Sequence, residues 1–210
     1  MIDYCSKEFT ILKYQELLLL AVSKFKVVQY TEINKNDKFV LWRHDVDLSL
    51  EHAAKIAKIE EKYQIQSTYF IHLHNDLYNA FDLESKKLIK DIISYGHTIG
   101  LHFDSDYYGI VSLKELNYWL EFEKNILENL FQQQIFVFSF HNPNKYTMSF
   151  DDDTYSGMIN TYSKYFKNDV HYCSDSNGYW RYRKLEEVLN DPSVNKLQVL
   201  THPGWWTPDE

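Results

Sequence analysis

"KFVLWRHDVD", residues 38–47, runs from a strand-forming apolar stretch into a histidine and two aspartates. A short apolar run bounded by polar turns reads as a strand buried on both faces, the kind found in parallel sheets covered by helices. The polar turn "NKNDK" (34–38) precedes it, and "SLEHAAKIAKIEEKY" (49–63) follows as a helix with Ser49 as its N-cap. The order is therefore strand, polar residues, helix.

The same order recurs along the chain. "QSTYFIH" (66–72), "HTIGLHF" (97–103), "IFVFSFH" (135–141), "VHYCSDS" (170–176) and "KLQVLTH" (196–202) read as strands. "LESKKLIKDIISYG" (83–96), "SLKELNYWLEFEKNILENLF" (112–131) and "KLEEVLNDP" (184–192) read as helices, the first closed by glycine and the last stopped by Pro192. Residues 8–29 form a leading helix in which Ile11, Tyr14, Leu18, Ala21, Phe25 and Val28 recur at steps of three and four. Residues 154–165 are expected to be a short helix. Strands alternating with helices predict parallel β/α units, arranged as a barrel or an open doubly wound sheet. No glycine-rich phosphate loop follows any strand, so nucleotide-binding versions of such folds have no support.

Each strand ends on chemistry. Those ends carry His44-Asp45-Val46-Asp47, His72 with His74, His102, His141, Asp175 and His202. In a β/α barrel the C-terminal strand ends share one face, where active sites are built. Neutral imidazoles with carboxylates are a ligand set for zinc or a similar ion. Such an ion lowers the pKa of water and polarises a carbonyl. A nearby carboxylate can then act as base and a histidine as acid. His72 and His74, two apart, are expected to share a strand face and to pack in a polar core away from metal. His97 is read as structural, and His52 and His171 as surface or packing residues.

The bulk properties bound the rest. With 210 residues the chain suits a single domain over 1–210, a helix at about 8–29 and a barrel at about 38–206. Its net charge of −8 argues against a nucleic-acid binder, which needs clustered Lys and Arg. Aromatic residues reach 17%, which suits core packing and equally a sugar-stacking cleft. Cys5 and Cys173 form no CxxC pair and predict reduced thiols. Neither a signal-peptide pattern nor a membrane-spanning run is visible, so the expected location is cytoplasmic.

"RHDVD" (43–47), "GHTIGLHFDSD" (96–106) and "LTHPGWW" (200–206) together resemble the polysaccharide deacetylase family, the NodB-homology or carbohydrate esterase 4 group. Within it they look most like the cytosolic branch from surface-polysaccharide gene clusters. The likeness spans about residues 38–206. It implies an α/β fold, a distorted (β/α)7 barrel, and metal-dependent removal of an acetyl group from an N-acetylated sugar during surface glycan biosynthesis. The metal implied is divalent, usually zinc, with cobalt, nickel or manganese as alternatives.

The resemblance also implies roles. Asp45 matches the base, Asp47 and His102 match metal ligands, and Asp106 matches the last ligand, with Asp104 competing. The spacing of four puts His102 and Asp106 on one face if the segment is helical. His202 matches the general acid, with Asp175 as the partner fixing its tautomer. His141 and Trp205 are expected to line the substrate groove. Phe103 replaces the Ser or Thr that follows the ligand histidine. "FHNPN" (140–144) lacks the arginine of the family's Arg-x-Pro-Tyr segment, which steadies the base. Two other readings use the same features: a degenerate barrel that binds a glycan without turnover, and a hydrolase of a non-sugar amide.

Overall fold

The computed structural model describes residues 8–208, so Cys5 lies outside the described residues; Cys173 is a buried free thiol. Nine strands form one sheet among them: β1 (Lys26–Val27), β2 (Phe39–Val46), β3 (Thr68–Ile71), β4 (Thr98–Phe103), β5 (Val137–Phe140), β6 (Thr154–Tyr155), β7 (Met158–Asn160), β8 (His171–Ser174) and β9 (Lys196–Thr201). The order is β6-β7-β5-β4-β3-β2-β9-β8, with β1 beside β2. Every pairing is parallel except the β6–β7 hairpin. The sheet curls into a half-barrel. Its helices are α1 (Ile11–Lys24), α2 (Leu50–Lys62), α3 (Leu83–Ser94), α4 (Ser105–Tyr108), α5 (Leu113–Phe131), α6 (Lys164–Asp169) and α7 (Leu185–Asn190).

Side-chain alternation along each strand sorts the core into two layers. Phe39 and Leu41 of β2 pack inside the curl with Phe70, Val137 and Phe166. Val40 and Trp42 face outward against Tyr14, Leu17 and Leu18 of α1. Val46, Tyr69, Ile71, Leu101 and Phe138 face the layer closed by α2, α3 and α5. The helices start where capping side chains offer an acceptor: Ser49 Oγ accepts from His52 N at 3.2 Å, and Asp82 and Ser112 act likewise.

Two predicted elements are corrected. The leading helix expected over 8–29 is observed at Ile11–Lys24; Phe25 is extended and Lys26–Val27 forms β1 beside β2. Residues 154–165 are not a short helix; they begin with the β6–β7 hairpin, and α6 starts only at Lys164. Ser156 and Gly157 take φ of 47° and 73°, the left-handed pair of a tight two-residue hairpin turn. The "SG" dipeptide carried that signal, and the mixed composition around it hid the short strands.

Candidate active site

The strand register brings the chemistry together. Asp45 pairs with Phe70, Phe70 with Gly100, and Arg43 with Leu200. Counting by two from these positions, Arg43, Asp45 and Asp47, then His72, His102, His141 and His202, follow the inward face of their strands. They meet at the C-terminal rim, beside a cleft of about 940 Å³ that Asp45, Asp47, His102, His141, His202 and Trp205 line.

Asp45 is almost fully buried, yet its two oxygens differ. Oδ2 accepts a 2.7 Å hydrogen bond from Arg43 Nη2, which also donates to Ser139 Oγ at 2.6 Å. Oδ1 is buried without a hydrogen-bond partner. The carboxylate is thus anchored through one oxygen and unpartnered at the other.

His202 is held in the same manner. Its Nδ1 lies 2.6 Å from Asp175 Oδ1, and its backbone N–H donates to both Asp175 oxygens. Trp206 Nε1 donates to Asp175 Oδ2 at 3.0 Å, so the fully buried aspartate has donors on both oxygens. The ring's other nitrogen, Nε2, points to Asp47 Oδ2 at 3.7 Å. Burial works to lower the pKa of His202; the hydrogen bond and charge of Asp175, with Asp45 and Asp47, outweigh it and lift it to about 9.

Around Asp47 the imidazoles crowd. His102 Nε2 is 3.1 Å from Asp47 Oδ1, His141 Nδ1 is 3.6 Å from the same oxygen, and the two nitrogens are 3.2 Å apart. Asp47, His72 and His141 each offer a ligand atom within 4.8 Å of the others. Burial opposes ionisation of Asp47, but His102, His141 and His202 together hold its carboxyl well below the usual carboxylate range. Burial and the neighbouring His102 and His141 press His72 down to about 3, leaving it neutral with a lone pair to share.

No family model and no curated protein matches the sequence. Solved structures do match. A CE4 family pseudoenzyme from Bacillus anthracis aligns over 81% of this chain with a TM-score of 0.50 and 17% identity. A mutant of PdaC, a peptidoglycan deacetylase from Bacillus subtilis, aligns over 81% with a TM-score of 0.51 and 14% identity. The fold is that of the CE4 deacetylases. This chain spans 56% of the length of the Bacillus anthracis protein and 77% of PdaC. Because one of these CE4 proteins is a pseudoenzyme, the fold by itself does not separate turnover from binding.

On the CE4 barrel, the residues expected from sequence fall into two groups. Asp45, Asp47, His102 and His202 converge at the cleft, with Asp175 directly behind His202 and Trp205 in the wall. Asp106 stands apart. β4 continues to Phe103, Asp104 caps α4 by accepting from Asp106 N and Tyr107 N, and Asp106 is exposed and accepts from Asn144 Nδ2 at 3.1 Å. A strand rather than a helix leads into that turn, so a spacing of four does not put Asp106 over His102. Asp104 comes nearer, with Oδ2 3.7 Å from His72 Nε2.

His72 and His74 also part company, against the expectation of one shared face, because β3 ends at Ile71. His72 turns into the rim. His74 stacks on Tyr107 at 3.6 Å and meets Glu123 at 2.8 Å. His97 is structural, as expected, tying Ser67 N to Ala57 O. Sequence reasoning passed over Arg43, two residues before Asp45 in the same motif, which supplies a guanidinium to that carboxylate where the 140–144 segment has none. Among the described residues no helix is long and apolar enough to cross a membrane.

Proposed function

We propose that the protein is a metal-dependent hydrolase that removes the acetyl group of an N-acetylated sugar, in surface glycan biosynthesis. The observation that carries this reading is the pair lining one cleft: Asp45 with an unpartnered buried Oδ1, and His202 with Nε2 toward Asp47 and Asp175 at its back. A base and an acid, each held from behind by one partner, suit hydrolysis of an amide, which needs a proton removed from water and a proton delivered to the departing amine.

Asp47 and His102 would hold the divalent ion. The donor set fits one, because Asp47 Oδ1 is buried beside imidazole nitrogens without making a hydrogen bond to any of them. When bound, the ion supplies Lewis-acid polarisation of the amide carbonyl and a lowered pKa for water. Asp45 takes the proton of the attacking water through Oδ1, while Arg43 fixes Oδ2. His202 gives its Nε2 proton to the leaving nitrogen, and Asp175 keeps Nδ1–H in place so that Nε2 is the exchanging atom. Trp205, in the cleft wall, offers a ring on which a sugar face can rest.

The test is acetate release from N-acetylated sugars and sugar conjugates by protein loaded with zinc, cobalt, nickel or manganese. Turnover that falls by about 10²–10⁴-fold in Asp45→Asn and in His202→Ala supports the reading. No acetate from any substrate with any of the four metals overturns it. The likeness to a CE4 pseudoenzyme favours one alternative, a glycan-binding barrel. Saturable sugar binding without acetate release would establish that alternative.

A further inference from the structure

We infer that the metal centre is a cluster of three imidazoles and one carboxylate, Asp47, His72, His102 and His141, open to a further ligand from the cleft, and that Asp106 is not part of it. His102 lies in β4, and Asp47, His72 and His141 directly follow β2, β3 and β5, so four neighbouring parallel strands contribute one donor each.

Three observations converge. First, the spacings suit a shared ion. Ligand atoms on a tetrahedral ion with bonds of about 2.0–2.1 Å lie about 3.3 Å apart. Asp47 Oδ1, His102 Nε2 and His141 Nδ1 form a triangle with edges of 3.1, 3.2 and 3.6 Å. Imidazoles on one such ion hold their ring centroids about 5 Å apart. The three pairs here measure 4.4 Å for His72–His141, 5.0 Å for His102–His141 and 5.7 Å for His72–His102.

Second, the polar atoms are left over. Both ring nitrogens of His72 are buried without a hydrogen-bond partner, and His72 is only 5% exposed. A buried imidazole normally satisfies at least one nitrogen, and leaving a polar group unpaired costs about 1–3 kcal/mol. Third, Asp47 Oδ1 is close to two imidazole nitrogens yet accepts a hydrogen bond from neither. His141 Nδ1 and His102 Nε2 do pair with each other at 3.2 Å, which leaves the Asp47 oxygen facing both nitrogens with a lone pair to give an ion.

The composition of the cluster sets its preference. Imidazole nitrogen suits zinc, nickel, cobalt and copper, whereas magnesium, calcium and manganese favour oxygen ligands. One carboxylate and three imidazoles therefore select a borderline ion. A set containing Asp106 in place of His72 and His141 would be two-thirds carboxylate and would lean toward manganese.

The inference rests on the proposed hydrolase only for the presence of an ion, and its test reads the ion directly. Chelator-stripped full-length protein is titrated with cobalt(II), with visible absorption as readout, and then with zinc in competition. One ion per chain is expected, with zinc displacing cobalt and manganese failing to do so. His72→Gln and His141→Gln are expected to weaken binding by more than about 100-fold, since loss of even an outer partner costs about 10–100-fold. Asp106→Asn is expected to bind as the unaltered protein does. Should a histidine variant not fold, the cobalt protein itself decides through its paramagnetically shifted imidazole N–H protons. Three such resonances support the cluster, and one or two overturn it. Absence of ion binding, tight binding in His72→Gln, or loss of binding in Asp106→Asn also overturns it. Ion binding without acetate release defeats the hydrolase and leaves the centre standing; acetate release indifferent to His72 does the reverse.

Discussion

Arg43 and Asp45 face each other from adjacent inward positions of one strand, Nη2 to Oδ2 at 2.7 Å, with neither side chain more than 4% exposed. The guanidinium has no water to fall back on. It lies 5.0 Å from the Phe70 ring and 5.6 Å from that of Tyr162, and its Nε and Nη1 have no hydrogen-bond partner. Its principal role is to hold one oxygen of Asp45.

Removing that partner strands a buried charge. Arg43→Ala is expected to cost about 3–5 kcal/mol, the usual penalty for breaking a buried pair from one side. Arg43→Lys should recover part of it, because the charge remains while the planar fork is lost. Urea unfolding of both variants measures this. Equal stability of Arg43→Ala and the unaltered protein would show that the pair does not hold the strand.

Gly100 governs the same corner from the next strand but one. A Cβ there would come within 2.7 Å of Cε1 in the Phe70 ring and 3.1 Å of the Val137 carbonyl. Phe70 in turn abuts Arg43. Gly100→Ala is expected to destabilise the protein by about 1–3 kcal/mol through overpacking. It should also displace His102, two residues further along β4. The measurement is a thermal melt with a cobalt titration; unchanged melting and metal affinity would refute the coupling.

Glu60 supplies a pH-dependent term away from the cleft. It is fully buried on α2 and accepts from Tyr14, Ser67 and Tyr69 at 2.6–2.9 Å, with His44 Nε2 at 2.9 Å. Burial would raise its pKa, but His44 first, then His97 and Tyr14, bring it below the ordinary glutamate value. A carboxyl lowered on folding adds stability that is fully present above its unfolded pKa, about 4.3, and is lost as pH falls through the lower folded value. Glu60→Gln should therefore be less stable by about 3–5 kcal/mol at pH 7, with the gap closing in acid. Denaturant midpoints from pH 7 to 3 test it, and a gap constant across that range would contradict it.

Much of this was legible in the sequence, for a physical reason. Continuous apolar strands with a period of two put Asp45, His102 and His202 on a common face once the strands are parallel, so their convergence follows from the pattern. β9, expected at 196–202, is observed at Lys196–Thr201. What sequence could not supply was how the chain turns once a strand has ended. β3 ends at Ile71, so His72 keeps the inward side while His74 departs from it, and beyond β4 the Asp104-capped turn of α4 leaves Asp106 exposed. Arg43 was overlooked because a buried arginine within an apolar run reveals its purpose only through its partner.

The pairing of β2 with β9 carries a consequence for biosynthesis. His44 lies opposite Thr201 in that ladder, so the strand that carries Asp45 waits for a partner synthesised more than 150 residues after it. The four inferred metal donors, at positions 47, 72, 102 and 141, are all synthesised well before it. On the ribosome, the metal-binding half can assemble as consecutive β/α units of local contact order, while one edge of β2 stays unpaired. Such an edge is a template for wrong strand addition until β9 arrives. An ion captured early would steady the half-built sheet through that interval, and His202 would join the cleft after it.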